Sequence, residues 1–460
     1  MAKEKKLKDP DSKVGFGKLL LWQSSAASVS IATLLIGFAQ IYCTDALHVD
    51  PLAIGTIFMI SKLIDSVTDV VIGYLVDRTK TKWGKGRPYE IAMVFLWLST
   101  WALFNCPESL SQTVKYIWIF CTYTFINSVC VTCLNGNNVA YLIRAFKTKE
   151  QQTKVTAYGS VITYFFAMIF NITFPMLMGK IATSAAGWGR LVLMFAVPMV
   201  AIGSLRMLTI KEQYEVGDDH AAKKVSLRDV FEAVASNKYV VMIVVVRFLW
   251  TMITSMNAAT YYWTWIVGDV GKMGMASAST VLALPITLLL PTLIKKFGMG
   301  KSGMYGFAIS AVGFLLFFLA GTNVPLLIVA TFLSLLGVVP FSMMGNMYIV
   351  DCSEYNEYIG KRRIEGTLGS VFGLFSKIGG AFGSFVLGLA LKLGGYDGAL
   401  AAQSGSALFT IRLMCGLFPF VIYAVVALIL KGYKLDTLLP QMKKEREEQL
   451  AATAAEPVTE

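Results

Sequence analysis

The chain has 460 residues, 55% of them hydrophobic and only 15% charged, with a formal net charge of +12. A soluble protein of this length carries roughly 25% charged residues, so the composition excludes an ordinary soluble domain and points to an all-α protein solvated by lipid. The basic excess lies in short loops and tails between apolar segments. It reads as a membrane-topology signal rather than a nucleic-acid surface, and no nucleic-acid motif is present.

The seven cysteines lie in or near apolar segments and are odd in number, so no disulfide framework is implied. Cys130 and Cys133 form a CxxC inside an apolar helical run, with no second pair and no nearby histidine. The two histidines, His48 and His220, fall in loops. The expectation is no enzyme, no cofactor, no catalytic residue and no metal beyond a coupling cation.

The tail over residues 1–17 is polar and basic. The first apolar run is long and lacks a small-residue cleavage site, so it reads as a retained membrane helix. A spanning helix needs roughly 20 apolar residues. That template places twelve, near 18–42, 51–76, 89–107, 115–145, 155–181, 189–210, 239–267, 274–294, 303–321, 324–350, 367–392 and 407–431. They group into two pseudo-symmetric six-helix bundles, 18–210 and 239–431. Between them lies a polar linker, 211–238, and a charged, Ala-rich tail follows over 432–460. The tail is expected to be helical at first and then disordered.

Loop charge alternates along the chain. One side holds the N-terminal lysines, then Arg78, Lys80, Lys82, Lys85 and Arg87, and later Arg144, Lys147, Lys149, Lys295, Lys296, Lys361, Arg362 and Arg363. The opposite loop CTDALHVDP has no Lys or Arg. Both termini are therefore expected in the cytoplasm, which requires an even number of spans. In the linker, Ser226 and Asp229 fit a capping box, and Leu227, Val230, Phe231 and Val234 form an apolar stripe. They predict a short helix on the cytoplasmic membrane surface.

The halves carry a weak repeat. The loop Lys82-Trp83-Gly84-Lys85-Gly86-Arg87 follows the second segment, and Lys296-Phe297-Gly298-Met299-Gly300-Lys301 follows the eighth, an offset of 214. Gly136-Asn137 echoes Gly345-Asn346 at an offset of 209. Shifted by 214, Asp65 and Asp69 land on Ser279 and Ala283. The glycine loop belongs to the repeat and reads as topology and gating scaffold. The carboxylates do not belong to it.

On the second segment Asp65, Thr68 and Asp69 stand at i, i+3 and i+4, so three oxygen-bearing side chains share one face. Charge within a span is costly and usually functional. Two carboxylates with hydroxyl and carbonyl oxygens suit a small hard cation such as Na⁺. Alternatively, their mutual repulsion lets one bind and release H⁺. Lys62, one turn before Asp65, offers a competing reading, an ion pair that fixes helix packing, but it accounts for only one acid.

The fourth segment is unusually polar: Tyr123, Thr124, Asn127, Asn135, Asn137 and Asn138 offer hydroxyls and amides without charge. They suit a neutral polyol, with Tyr123 as a flat face, or hydrogen bonds between packed helices. The seventh segment carries Arg247, which could snorkel, together with Asn257 and the cluster Tyr261, Tyr262, Trp263 and Trp265. An interfacial aromatic belt explains that cluster as well as sugar stacking does. In the eleventh, Lys377 needs a partner, and Asp65 or Asp69 is the natural candidate.

The stretch DSVTDVVIGYLVDRTKTKWGKGRPYE, with Asp351–Gly383, DCSEYNEYIGKRRIEGTLGSVFGLFSKIGGAFG, resembles the glycoside–pentoside–hexuronide:cation symporters, a branch of the major facilitator superfamily that includes the melibiose carrier. The resemblance covers residues 14–432. It implies twelve helices, alternating access and sugar uptake coupled to Na⁺, Li⁺ or H⁺. Asp65 and Asp69 then match the cation-binding aspartates, and Thr68 stands where the melibiose carrier has Asn. Thr124 matches a further cation-site hydroxyl, Tyr123 a substrate-site aromatic, and Lys377 the lysine between the two sites. Two acids that hold galactoside hydroxyls are missing. Asn127 occupies the fourth-helix position, and the first helix offers only Gln23, Ser24, Ser25, Ser28 and Ser30.

These readings give a symporter of the plasma (inner) membrane, functional as a monomer, for a sugar, glycoside or related polar solute. The competing readings are a carrier of an amphipathic lipid-like solute and a non-transporting membrane sensor.

Overall fold

A computed structural model describes residues 14–79, 81–214, 237–279, 281, 284–360 and 365–455. The predicted surface helix around Ser226–Val234, the N-terminal lysines, Lys80, the basic run 361–363 and the extreme C-terminus lie outside the described residues.

Helix occupies every predicted apolar segment, and nine helices among the described residues are long and apolar enough to cross a membrane. The second segment, Pro51–Arg78, begins at a well-formed cap. Asp50 accepts hydrogen bonds from the amides of Leu52 and Ala53 at 3.0 and 3.1 Å, and proline occupies the first helical position. Thr148 and Gln151 form a capping box at the start of Lys149–Ile181. Several segments are interrupted, as their Gly, Pro and Asn content predicts. The fourth changes from Gln112–Phe125 to wide π turns over Ile126–Val131, then continues as Thr132–Gly136 and Asn138–Ala145. The seventh breaks at Asn257, which adopts the left-handed conformation between Lys238–Met256 and Ala258–Trp265.

The chain forms two compact units. One gathers Met1–Ala222 with Trp263–Ala278 and Ser384–Ala407, and the other gathers Lys223–Tyr262, Ser279–Gly383 and Leu408–Glu460. Small residues let backbones touch within each. In the first, a Cβ on Gly388 would stand 2.3 Å from the Pro51 carbonyl oxygen. In the second, a Cβ on Gly306 would stand 2.2 Å from that of Gly337.

The repeated glycine loops have a common architecture. The Glu212 carboxylate, just beyond the sixth segment (Ala185–Thr209), accepts the amides of Lys85, Gly86 and Arg87 at 2.7–2.8 Å. Asp436, just beyond the twelfth, accepts those of Met299 and Gly300 at 2.8 and 2.7 Å. Gly84 and Gly298 hold φ of 115° and 81°, a region that penalises a Cβ. Each loop therefore wraps its amides around an acid, a small anion-binding nest. The C-terminal helix, Leu435–Ala455, begins at this nest and is tied on by Lys443–Glu354 (2.9 Å) and Arg446–Glu357 (3.1 Å).

Candidate cation and solute site

Within the first unit, the second and fourth segments face each other through hydroxyls and carboxylates spaced by four residues. Ser61 and Thr124 share a hydrogen bond of 2.7 Å, and Ser128 approaches the Ser61 carbonyl at 3.5 Å. One turn on, the Thr132 hydroxyl lies 2.8 Å from Asp65 Oδ1 and 3.2 Å from Asp69 Oδ1. A hydroxyl has one proton to give, and Thr132 Oγ1 also lies 3.0 Å from the Asn127 carbonyl, so it can donate to only one of these three acceptors at a time. The result is a cluster of oxygen ligands that brings two carboxylates together between the second and fourth segments, the donor set a hard cation prefers.

Thr132 was not among the predicted site residues. Eight residues from Thr124 would carry it about 80° past two full α-helical turns. The π turns over Ile126–Val131 take more residues per turn and bring it back towards the same face. The legible signal was the four-residue spacing 124, 128, 132 set against 61, 65, 69.

The other predicted residues divide into two groups. Thr124 joins the ladder through Ser61, whereas the Thr68 hydroxyl turns back to its own helix at the Asp65 carbonyl, 3.1 Å away. Lys62 reaches Ser384 Oγ at 3.5 Å. Asn127 is half-buried and donates to the Tyr123 carbonyl at 2.9 Å, and Gln23 donates to Thr163 Oγ1 at 2.7 Å across Gly159. Lys377 belongs to the second unit.

Three further expected solute-site residues make packing contacts in this structure. Asn137 is fully buried, and its amide donates to the Gly86 carbonyl (3.2 Å) and Glu90 Oε1 (3.1 Å), so it braces the glycine loop. Ser28 is likewise fully buried, donating to the Met199 carbonyl at 2.9 Å and accepting from Trp97 Nε1 at 2.8 Å. Tyr123 is 4% exposed and its ring is stacked on Phe58 at 4.0 Å, so its face is already covered.

Beside Asn137 lies a charged pair that sequence reasoning did not single out. Arg206 Nε donates to Glu90 Oε2 at 3.0 Å and its Nη2 to Oε1, while Nη1 donates to Asn138 Oδ1 at 3.0 Å. Only 2% of Arg206 and 1% of Glu90 is exposed.

At the end of this unit opposite the basic loop, Asp45 accepts hydrogen bonds from Trp265 Nε1 (3.0 Å), Thr44 (2.7 Å) and the Tyr396 hydroxyl. Nearby Asp50 pairs with Lys392. Partial burial pushes the Asp50 carboxyl upward, but the Lys392 ammonium and the Ala53 and Leu52 amides outweigh it and hold that carboxyl below its ordinary range. These contacts draw Trp263–Ala278 and Ser384–Ala407 into the first unit.

Comparison with known proteins agrees with this architecture. The chain is 26% identical to an isoprimeverose transporter of Lactiplantibacillus pentosus, covering 91% of this chain and 88% of that protein. It is 25% identical to a glucuronide carrier protein homologue of Escherichia coli (strain K12), over 85% and 86% of the two chains. The structure matches the nucleoside transporter NupG with a TM-score of 0.63 at 13% identity, covering 90% of this chain and all of that one, a likeness of fold alone. Residues 24–437 match the family described as MFS/sugar transport protein. The chain belongs to that family of the major facilitator superfamily.

Proposed function

We propose that this protein is a secondary active symporter that couples inward movement of Na⁺ or H⁺ to uptake of a sugar, glycoside or related polar solute by alternating access. The observation that carries the reading is the Asp65–Thr132–Asp69 cluster, two carboxylates bridged by a hydroxyl between the second and fourth segments. Sugar carriers among the relatives support the solute class. A cation held between the aspartates would stabilise the solute-binding state, and solute would reciprocally tighten the cation. In this reading twelve spans cross the plasma membrane with both termini cytoplasmic, and the monomer transports without catalysing a reaction.

The test is counterflow and uptake in proteoliposomes across a solute panel, with imposed Na⁺ or H⁺ gradients. Gradient-driven accumulation of at least one sugar is expected, and preference for a lysophospholipid over every sugar overturns the solute assignment. Thr132 supplies a sharper check. Thr132→Val should weaken the coupling cation roughly tenfold, about the 1.4 kcal/mol of one good hydrogen bond or ligand contact, and Thr132→Ser should restore most of it. Cation-induced thermal shifts measure both.

A further inference from the structure

The first unit holds an open apolar cleft that neither the cation cluster nor the expected solute residues use. It encloses about 300 Å³ where the second segment ends against the third (Arg87–Ile91 and Ala92–Leu103) and the fourth. That volume is at the lower end of the roughly 300–1,000 Å³ of ligand clefts. Its open edge is made by Ile91, Phe95, Phe125 and Val129, which are 39–51% exposed. Its inner wall is made by Cys130 and Cys133, both buried and both behaving as small, soft apolar groups. Thr132, between the two thiols in sequence, turns its hydroxyl to Asp65 and Asp69 instead. The fourth segment thus keeps its polar contacts on a separate face, and the cleft is left to an apolar occupant.

At the basic-loop end the cleft is closed by Thr79 and Tyr89. The Thr79 hydroxyl donates to the Leu75 carbonyl at 2.8 Å, so the 2.6 Å contact between the two hydroxyls uses the Tyr89 proton. Both protons are spent on tying the second segment to the third, and the cleft offers a neutral polar group no hydroxyl proton here. Charge stands just beyond. Arg78 and Lys82 are exposed, and the Arg78 guanidinium lies 4.4 Å from the centre of the half-exposed Tyr74 ring. Trp83, 59% exposed, belongs to the same rim. Exposed Trp and Tyr beside basic residues mark the headgroup level of a bilayer.

The occupant that fits is slim and apolar along its length and negative at its head. A membrane helix, about 10–12 Å across with its side chains, covers a cleft of this size without entering it. A single acyl chain enters lengthwise. Basic clusters at the end of a membrane helix select anionic lipid heads. We propose that the cleft is a binding site for an anionic phospholipid, with one acyl chain between the third and fourth segments and the phosphate against Arg78 and Lys82. The site rests on the membrane fold and not on the symport reading.

The experiment places the full chain in phosphatidylcholine nanodiscs with a minor fraction of phosphatidylglycerol carrying a diazirine in its acyl chain, then maps photo-adducts by peptide mass spectrometry. Unlabelled phosphatidylglycerol or phosphatidylcholine competes in separate arms. Adducts are expected on the peptides holding Phe95 and Val129–Cys133. Phosphatidylglycerol should compete at least tenfold better, since each of two basic side chains adds roughly fivefold. Arg78→Gln with Lys82→Gln should bring the two lipids to within about twofold while the adducts remain. Ala92→Phe, at a buried position lining the cleft, should fill it and remove the adducts. Should Ala92→Phe fail to fold, Val129→Trp blocks the open edge from a position that already tolerates exposure. Equal competition by the two lipids means ordinary solvating lipid and overturns the site. Adducts that survive both blocking variants, or that spread evenly over the lipid-facing helices, also overturn it. So does the absence of adducts on these peptides, the result expected if a second copy of the chain covers the cleft.

Discussion

Asp65→Asn or Asp69→Asn should each abolish uphill solute accumulation, reducing the accumulation ratio to about one. Thr132 lies within hydrogen-bond distance of both carboxylates, so the three side chains act as one oxygen cluster. Replacing either carboxylate removes a charged ligand and leaves an amide whose N–H₂ points donors at a cation. Coupling energies between linked sites run at about 1–3 kcal/mol, or roughly 5–150-fold in affinity. Loss of that term separates solute binding from the cation gradient, and so removes the driving force. The competing reading, in which Lys62 and Asp65 are a packing pair, predicts a different pattern. Asp65→Asn would then lower the melting temperature, Asp69→Asn would leave accumulation intact, and Lys62→Met with Asp65→Asn would restore transport. Uptake under an imposed gradient, with cation-dependent thermal shifts on these three variants and the wild type, separates the two. Normal accumulation by Asp69→Asn would sink the ion-site assignment.

Much of this site was legible because the physics is local. Carboxylates four apart on a helix share a face whatever packs against it, and glycine loops with the same spacing bend alike. Glu212 and Asp436 show what the loops were spaced for, since each places a carboxylate among amides that only a positive-φ glycine can present. The partner of the aspartates was legible only as a matching four-residue spacing, because the π turns before Thr132 change the residues per turn and α-helical angles alone misplace it.

The solute residues are harder to read for another reason. Asn137, Ser28 and Tyr123 have the chemistry to meet a sugar, but the same chemistry serves packing. Burial decides between the roles, and burial depends on which helices approach. Polar residue type within a membrane segment marks a need for hydrogen bonds without naming the partner. Arg247 makes the converse case: its sequence position allows snorkelling, and in the structure its guanidinium rests on Gly345 with Nε buried without an acceptor.

The largest stability loss is expected at Glu90 and Arg206. Both side chains are almost fully enclosed, and their charges are matched by a two-pronged interaction in which Asn137 and Asn138 take up further hydrogen-bonding capacity. The guanidinium also lies 4.9 Å from the centre of the Trp22 ring. Glu90→Gln removes the compensating charge and leaves a buried cation. Breaking one side of such a pair costs about 3–5 kcal/mol. At roughly 2–4 °C per kcal/mol for a domain of about 200 residues, the melting temperature in detergent should fall by about 10 °C. Arg206→Met should cost a similar amount by stranding the carboxylate. The double variant Glu90→Gln with Arg206→Met should be milder than either single change, because no uncompensated charge is left in the interior and the desolvation penalty of both ions disappears. A melting point for Glu90→Gln within about 2 °C of wild type would show that water or another group reaches Arg206. Additive losses in the double variant would show that the two side chains stabilise the fold independently. A milder double variant identifies the pair as the electrostatic pin between the glycine loop, which Asn137 also braces, and the sixth segment that carries Arg206.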